Sequence, residues 1–475
     1  MSKVTFKDNW ELIVGLEVHA ELATRTKLFC GCLNEFGNEP NTNVCPVCLG
    51  LPGSLPVVNE QAVYFAMRLG EAVNCSVNRS VFARKNYFYP DMPKDYQISQ
   101  YDLPTNTNGY LDLPEGKRIG IERAHIEEDT GKTTHKGESG RISGADYSLV
   151  DYNRAGVPLI EIVSQPDIRT VDEAKSYVSE LRQILLALEV SDAKMEEGSI
   201  RVDANVSVRP IGESNLRTRC EIKNVNSLRS LGRAIEYEAN RHINLYDNGE
   251  SPTQETRHWD EISGRTRPGR SKEDAEDYRY FPEPDLVPLN PSAAELKLIK
   301  DGLPNLPAQR RKNLMDILGS DANDAVILVE REHDAFAVDA IELGGVKESI
   351  AKYLINNLAD GMGDLSPKAL AELTQMEANG DVTSTQARKI LVELVANGGA
   401  PDEIAEHLGL ETIDANAIEK MVLELIGEHP NEWGRYRDGD KKVQGFFVGQ
   451  IMKATSGQAD GKIINQILSE HAEAQ

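Results

Sequence analysis

Acidic residues recur inside strand-like segments of alternating apolar residues, and this pattern constrains both the fold and the chemistry of the chain. In residues 12–22 every second position is apolar, while Glu17 and His19 fall on the other face. Such alternation is typical of a strand with one buried face. Asp203 in RVDAN and Glu221 in CEIKN occur in the same setting. We therefore expect a sheet with one apolar face and one face on which carboxylates converge.

A fourth segment, HIEED, carries the adjacent acids Glu127 and Glu128. A regular strand would place Glu127 beside His125, but a bulge could bring either acid into the site, so periodicity leaves the choice open. Taken alone, Glu17 and His19 could be a surface acid and a hydrogen-bonded histidine. Because buried carboxylates need compensation and Mg²⁺ binds oxygen ligands, the recurrence favours a metal-assisted site that handles a nucleotide.

Four of the six cysteines form two close pairs, Cys30–Cys32 and Cys45–Cys48. This spacing is typical of a zinc site with four thiolate ligands, although the first pair is C-x-C and not C-x-x-C. The alternative is a set of reduced thiols without metal. We expect a structural zinc, because four cysteines leave no open coordination position for catalysis.

The composition of the chain is that of a globular protein. Its 475 residues suffice for two to four domains, and its net charge of −24 argues against broad electrostatic binding of nucleic acid. The longest apolar runs are too short to span a bilayer and no apolar signal core is present, so a soluble, cytoplasmic protein is expected. A local basic patch remains compatible with the net charge.

The order of patterns predicts an α+β fold with a mainly antiparallel sheet. Strand-like segments at 10–22, 118–129, 157–163, 199–208 and 217–223 alternate with helical patterns at 57–74 and 171–189. Residues 248–292, rich in Pro, Gly and charge, indicate a flap and linker. After residue 294 only helical patterns follow. We expect domains at 1–292, 293–410 and 411–475.

Common catalytic motifs are missing from the sequence. Residues 131–133 read Gly-Lys-Thr, but Ile126 stands where a phosphate-binding loop begins with glycine, and no G-x-S-x-G elbow occurs. The segment RKNYFYPD, with Lys85 and Tyr87, mixes bases with aromatic rings. It is either a packed turn or a surface on which a charged substrate or a nucleotide base rests.

Several motifs together resemble the B subunit of the tRNA-dependent amidotransferase. They are GLEVH, NTNVCPVCLGLPGSLPVVN, RKNYFYPD, YQISQ, HIEEDTGK, SLVDYNRAGVPLIEIVS, KMEEGSIRVDANVS, DYRYFPEPD and GFFVGQIMKA, and they run in order from about residue 10 to residue 470. The resemblance implies a glutamine-synthetase-like cradle, then a helical domain and a tRNA-binding tail. It implies an ATP- and Mg²⁺-dependent site that phosphorylates the aminoacyl carboxylate of Glu-tRNA(Gln) or Asp-tRNA(Asn).

The same resemblance implies partners and residue roles. An amidase A subunit would release ammonia from glutamine, and a small C subunit would tie the two together. Lys85, with Tyr87, falls where the ammonia channel of the family opens, and Lys441, Lys442 and Lys453 belong to the tail expected to hold tRNA. The four cysteines match the zinc-bearing branch. The implied Mg²⁺ ligands are Glu17, His19, Glu128, Asp203 and Glu221.

Two rival functions remain open from the sequence. One is a zinc-stapled RNA-binding scaffold without catalysis, which would not depend on the acids. The other is a standalone carboxylate–amine ligase, which would act without a partner chain. The sequence does not separate Glu-tRNA(Gln) from Asp-tRNA(Asn) as substrate, and it does not show which residues contact adenine.

Overall fold

The computed structural model describes residues 6–7, 9–137, 144–269, 278–319, 322–359, 361–410, 415–455, 459 and 461–473. The chain divides into two compact units, Met1–Ala308 and Gln309–Gln475. Among the described residues, the first unit has one hydrophobic core and the second has two. The three-domain division at residues 292/293 and 410/411 stays a prediction.

The first unit is built around a large sheet. Its described part contains fourteen strands: β1 (Trp10–Glu21), β2 (Ser76–Val77), β3 (Ala83–Asn86), β4 (Tyr96–Ser99), β5 (Asn106–Asp112), β6 (Arg118–Glu128), β7 (Lys132–Lys136), β8 (Tyr147–Asp151), β9 (Pro158–Ser164), β10 (Ile200–Pro210), β11 (Cys220–Val225), β12 (Thr256–Asp260), β13 (Arg265–Pro268) and β14 (Phe281–Pro282). Nine form one sheet in the order β13-β12-β11-β10-β1-β9-β6-β5-β2. All neighbours in it are antiparallel except the parallel pair β11 and β12. Two small sheets, β14-β3-β4 and β7-β8, accompany it.

Three helices cover one face of the nine-stranded sheet. They are α1 (Glu60–Ala72), α2 (Val171–Ala187) and α3 (Leu228–Asp247), which contact β6, β1 and β10. Leu16 and Val18 of β1 are buried in the same core as Val178 of α2. Because alternate residues of a strand face opposite sides, Glu17 and His19 face away from these helices.

The helix starts follow from the local sequence. The Thr170 side chain caps α2 by accepting a hydrogen bond from the backbone N–H of Glu173 at 3.0 Å. The Glu173 carboxylate accepts one from the backbone N–H of Thr170 at 3.3 Å, which completes a capping box. Ser227 caps α3 in the same way through the backbone of Ser230 at 3.0 Å. The sequence analysis did not predict α3, although its buried residues recur at helical spacing from Leu231 to Ile243.

The remaining described helices lie towards the C-terminus. They are α4 (Ala293–Asp301), α5 (Pro307–Leu318), α6 (Ala322–Glu330), α7 (Asp334–Glu342), α8 (Lys347–Asn356), α9 (Pro367–Asn379), α10 (Ser384–Asn397), α11 (Pro401–His407), α12 (Ala415–Glu428), α13 (Pro430–Arg437), α14 (Gln444–Ala454) and α15 (Gly461–Glu473). One core of the second unit runs from Leu314 to Ala405 and the other from Ile418 to Leu468. Gly398 and Gly399 end α10 with φ of 64° and 102°, which glycine adopts without strain.

The predicted α+β class, a mainly antiparallel sheet followed by a helical region, is confirmed. One part of the prediction differs from the structure: the segment expected to be a flap and linker, 248–292, contains β12, the edge strand β13 and the short β14. Residues 270–277 of that segment lie outside the described residues. The resemblance to a glutamine-synthetase cradle stays a prediction. Across the described parts of the chain, no helix has the length and apolarity that a membrane crossing requires.

Candidate active site

The central strands place acidic residues side by side on the sheet face opposite the helices. Glu17 of β1 is directly across from Asp203 of β10, and His19 is across from Glu161 of β9. Residues paired directly across an antiparallel ladder point to the same face. The three central strands therefore bring these four side chains to one place.

His19 lies at the centre of this group. Its Nε2 is 3.4 Å from Glu127 Oε1 of β6 and 3.4 Å from Glu161 Oε2. Glu17 Oε1 is 3.7 Å from the same nitrogen. The possible ligand atoms of Glu17, His19 and Asp203 lie within 4.8 Å of one another, and those of His19, Glu127 and Glu161 form a second such group.

Glu128, which the resemblance implies as a ligand, is not brought into this group. Its carboxylate is buried in an ion pair with Lys94 and accepts a hydrogen bond from the backbone of Ile98 at 2.8 Å. The register of β6 on β9 is regular from Arg123 to Glu128, so no bulge reverses the alternation there. Glu127 therefore occupies the place beside His19, as the period of a regular strand favours.

Glu221 is joined to the group through a lysine. Lys223 Nζ is 2.6 Å from Asp203 Oδ2 and 3.5 Å from Glu221 Oε1. Glu221 Oε2 also accepts a hydrogen bond from Thr256 Oγ1 of β12 at 2.8 Å. Strand β12, which the sequence patterns did not predict, therefore orients this acid. We call the following set the acid cluster: Glu17, Glu127, Glu161, Asp203 and Glu221.

The electrostatics of the acid cluster favour a bound cation. Burial, and then the negative charge of Glu161, raise the pKa of Glu17 above its ordinary value and that of Glu127 to about 7. Burial alone would lower the pKa of His19, but its hydrogen bond to Glu161 and the charge of Glu127 raise it to about 9. Repulsion among buried carboxylates is thus only partly balanced by neighbouring cations. In the absence of a metal ion these charges keep a proton on His19. A divalent cation that displaced this proton would meet several carboxylate oxygens and one imidazole nitrogen, a donor set that fits a hard cation.

A cleft of about 730 Å³ opens over the acid cluster. Glu17, Glu127, Glu161 and Glu221 line it. Its lining also includes three basic and five aromatic side chains: Lys85, Arg123, Lys223, Tyr87, Tyr89, Tyr101, Tyr278 and Tyr280. The volume lies in the range of sites for nucleotide-sized ligands.

Lys85 and Tyr87 both face this cleft, so the structure places the RKNYFYPD segment at the acid cluster. Lys85 Nζ lies 4.6 Å from the ring centre of Tyr278, which comes from a distant part of the chain. The rings of Tyr101 and Tyr280 stack at 4.3 Å. The sequence analysis did not select Tyr278, Tyr280 or Glu161, although Glu161 alternates with apolar residues in PLIEIVS as Glu17 does in β1.

The four cysteines converge as their spacing predicts. The sulfur atoms of Cys30, Cys32, Cys45 and Cys48 all lie within 4.8 Å of one another, and Cys45 Sγ is 3.8 Å from Cys48 Sγ. The hydrogen bond shared by Cys30 and Cys48 lowers the pKa of Cys48 and raises the pKa of Cys30. This cluster could hold a metal ion as a closed four-sulfur site.

The lysines expected to bind tRNA lie in the second unit. Lys442 is exposed in the turn before α14, and Lys453 is exposed in the last turn of α14. The side chain of Lys441 lies outside the described residues. Arg435 is paired with Asp440 at 2.6 Å, so part of the local positive charge is already balanced.

Known proteins are similar to this chain over nearly its whole length. A family described as "GatB/GatE catalytic domain" matches residues 12–297, and one described as "GatB domain" matches residues 348–471. A protein of Thermoanaerobacter sp. (strain X514), named as the B subunit of aspartyl/glutamyl-tRNA(Asn/Gln) amidotransferase, is 46% identical over 97% of this chain and 99% of its own length. A protein of the same name from Trichodesmium erythraeum is 46% identical over 99% of this chain and 99% of its own length. Another from Frankia casuarinae is 48% identical over 97% of this chain and 95% of its own length. The chain therefore belongs to the family of B subunits of the aspartyl/glutamyl-tRNA(Asn/Gln) amidotransferase.

Proposed function

We propose that this chain is the subunit of a glutamine-dependent amidotransferase that activates the side-chain carboxylate of Glu-tRNA(Gln) or Asp-tRNA(Asn) with ATP and amidates it with ammonia. The proposal rests mainly on the convergence of the acid cluster and His19 on the open face of the sheet, where Glu17, Glu127, Glu161 and Glu221 line one cleft. Membership of the B-subunit family supports it. A catalytic role explains why so many carboxylates are half-buried together, since such a grouping is costly for folding alone.

The reaction has two steps, phosphorylation of the carboxylate and amidation of the acyl phosphate. A carboxylate oxygen of the aminoacyl group attacks the γ-phosphorus of ATP, which forms an acyl phosphate and releases ADP. Ammonia then attacks the acyl carbon and expels phosphate, leaving the amide. Phosphoryl transfer depends on positioning and charge neutralisation more than on a protein nucleophile, which fits a cleft lined by carboxylates, lysines and tyrosines.

We propose that a Mg²⁺ ion is held by Glu17, His19 and Asp203, with Glu221 nearby through Lys223. Glu127, which lies beside His19, takes the role that the resemblance gives to Glu128. When bound, such an ion supplies charge neutralisation for the transferring phosphoryl group. Lys223 contributes charge of its own: burial would lower its pKa, but the carboxylates of Asp203 and Glu221 outweigh burial and keep the pKa above the ordinary value. It therefore remains protonated and holds both acids in place.

Membership of a B-subunit family supports a complex with further subunits. The ammonia would come from an amidase A subunit, with a small C subunit completing the complex, and Lys85 would meet it at the cleft wall. The exposed Lys442 and Lys453 would contact the tRNA backbone. The four cysteines would bind a structural zinc. The cytoplasmic location stays a prediction.

The experiment compares nitrogen sources. Purified chain and reconstituted complex are each given ATP, Glu-tRNA(Gln) or Asp-tRNA(Asn), and either glutamine or ammonium chloride. The proposal expects amidation from glutamine by the complex only. If the chain were a standalone ligase, the purified chain would amidate with ammonium as fast as the complex does. If it were a scaffold without catalysis, Glu17→Gln would leave amidation by the complex unchanged.

A further inference from the structure

The loop between the two cysteine pairs is tied to the hairpin that follows the active-site strand β6. Three hydrogen bonds centre on Asn41 of this loop. Its backbone N–H donates to Asp151 Oδ1 at 2.9 Å, and its side-chain Nδ2 donates to the carbonyl of Val150 at 3.1 Å. Its Oδ1 accepts from the backbone N–H of Tyr152 at 2.7 Å. One asparagine therefore binds the end of β8 with its backbone and with both ends of its amide.

A second asparagine, Asn153, follows β8 and binds the backbone of the loop between the cysteine pairs with its side chain. Asn153 Oδ1 accepts from the backbone N–H of Asn43 at 2.8 Å, and its Nδ2 donates to the carbonyl of Glu39 at 2.7 Å. Asp151 also accepts from the backbone N–H of Asn153 at 3.0 Å, which fixes the turn. We call Asn41, Asn43, Asp151 and Asn153 the loop clamp.

Backbone conformation adds to the case for Asn41. Its φ is 61°, in the left-handed region, which asparagine tolerates better than most residues. The loop needs this conformation to turn its backbone N–H and its side chain towards the hairpin together. The identity of the residue thus suits both the turn and the contact.

The hairpin held by the loop clamp is one wall of the cleft. β7 and β8 form a two-stranded sheet that is separate from the nine-stranded sheet. Thr133, His135, Ser148 and Val150 of this hairpin line the cleft together with four of the five members of the acid cluster. An isolated two-stranded hairpin is marginally stable by itself, so its position depends on what it is attached to.

We propose that Asn41 and Asn153 are positioning residues through which the cysteine cluster fixes the hairpin wall of the active-site cleft. The cysteine pairs hold both ends of the loop from residue 32 to residue 45, and the loop clamp transfers that fixed position to β8. A ligand in the cleft then meets a preformed wall. The effect on substrate rests on the proposed function, whereas the attachment of the hairpin can be measured without it.

The experiment uses the full chain in its reconstituted complex and the variant Asn153→Ala, which removes two hydrogen bonds between loop and hairpin. Asn38→Ala is the matched control, since Asn38 is exposed in the same loop and its side chain bonds to Glu35 of that loop. Amide hydrogen exchange in residues 144–152 should become about tenfold faster in Asn153→Ala and stay unchanged in the control. Metal content should be equal in all three proteins.

Kinetics provide the second readout. We expect Asn153→Ala to raise the KM for ATP or aminoacyl-tRNA about fivefold with kcat at saturation nearly unchanged, since a displaced wall weakens binding more than chemistry. If Asn153→Ala fails to fold, Asn41→Asp replaces it, because it keeps the acceptor for Tyr152 and loses the donor to Val150. Exchange and KM equal to the control would overturn the proposal. Failure of the wild-type complex to amidate would refute the proposed function instead, and the exchange comparison would still test the loop clamp.

Discussion

A buried carboxylate on α3 allows one stability prediction to be worked from the structure. Glu238 is fully buried and accepts hydrogen bonds from Thr266 Oγ1 at 2.7 Å and from Arg241 Nε at 2.9 Å. His242 Nε2 lies 3.1 Å away, and Arg257 Nε lies 3.5 Å away. Cys220, Glu238 and His242 lie close enough together to hold a metal ion. Because two arginines already neutralise the Glu238 carboxylate, we interpret the group as an ion network. It fastens α3 to β12 and β13, and Thr256 at the start of β12 bonds to Glu221.

The contribution of this ion network to the folding free energy follows from the pKa of Glu238. Burial would raise it, but the hydrogen bonds from His242 and Arg241 outweigh burial and lower the pKa to about 2, from an ordinary value of 4.5. A difference of about 2.5 units corresponds to about 3 kcal/mol of folding free energy at neutral pH. Because the folded pKa is depressed, this stabilisation is complete above the unfolded value of about 4.5 and disappears as pH falls towards 2.

The perturbation is Glu238→Gln, which keeps the shape and removes the charge. Urea unfolding, followed by tryptophan fluorescence, should show that the free energy of unfolding of Glu238→Gln is about 3 kcal/mol below that of wild type at pH 7. This difference in free energy should narrow as pH falls to 3. Glu236→Gln is the control, since Glu236 is exposed on the same helix. Equal stability of wild type and Glu238→Gln at pH 7, or a gap that does not change with pH, would refute the reasoning.

Two other perturbations test the metal cluster and the tail. Cys45→Ser should lower the bound zinc and the unfolding temperature, measured by metal analysis and calorimetry, and a fully stable variant that retains zinc would contradict a four-sulfur site. The double variant Lys442→Ala/Lys453→Ala should weaken tRNA binding and reduce the slope of log K against log salt by up to about 2, whereas an unchanged slope would remove these lysines from the tRNA contact.

The parts of the fold that the sequence predicts are those in which one physical pattern dominates. β1 and β10 alternate apolar and polar residues because one face packs on helices and the other opens to the cleft. Their pairing brings Glu17 and Asp203 together as expected. The cysteine cluster converges because its four members lie close in sequence.

Other parts depend on contacts that a single segment does not reveal. β12 carries Arg257, whose buried guanidinium is bound by Thr266, Glu255 and Glu238. Without those partners the strand looks like a polar loop in the sequence. Which of Glu127 and Glu128 lies beside His19 depends on the regular register of β6 and on the buried partner Lys94, which is distant in sequence. Tyr278 reaches the cleft from a segment that composition marks as a linker.

The central claim is that the acid cluster supports phosphoryl transfer to the aminoacyl carboxylate. The direct measurement is transfer of phosphate from ATP labelled at the γ-position to Glu-tRNA(Gln) or Asp-tRNA(Asn) by the reconstituted complex without a nitrogen source. Asp203→Asn is compared with Asp112→Asn, an exposed acid on β5 that is paired with Arg118 outside the cleft.

The account predicts that Asp203→Asn lowers the transfer rate at least about 100-fold, because about 2.7 kcal/mol of transition-state stabilisation depends on that charge, while tRNA binding and the Asp112→Asn rate stay near wild type. A near-normal transfer rate in a folded Asp203→Asn complex would contradict it.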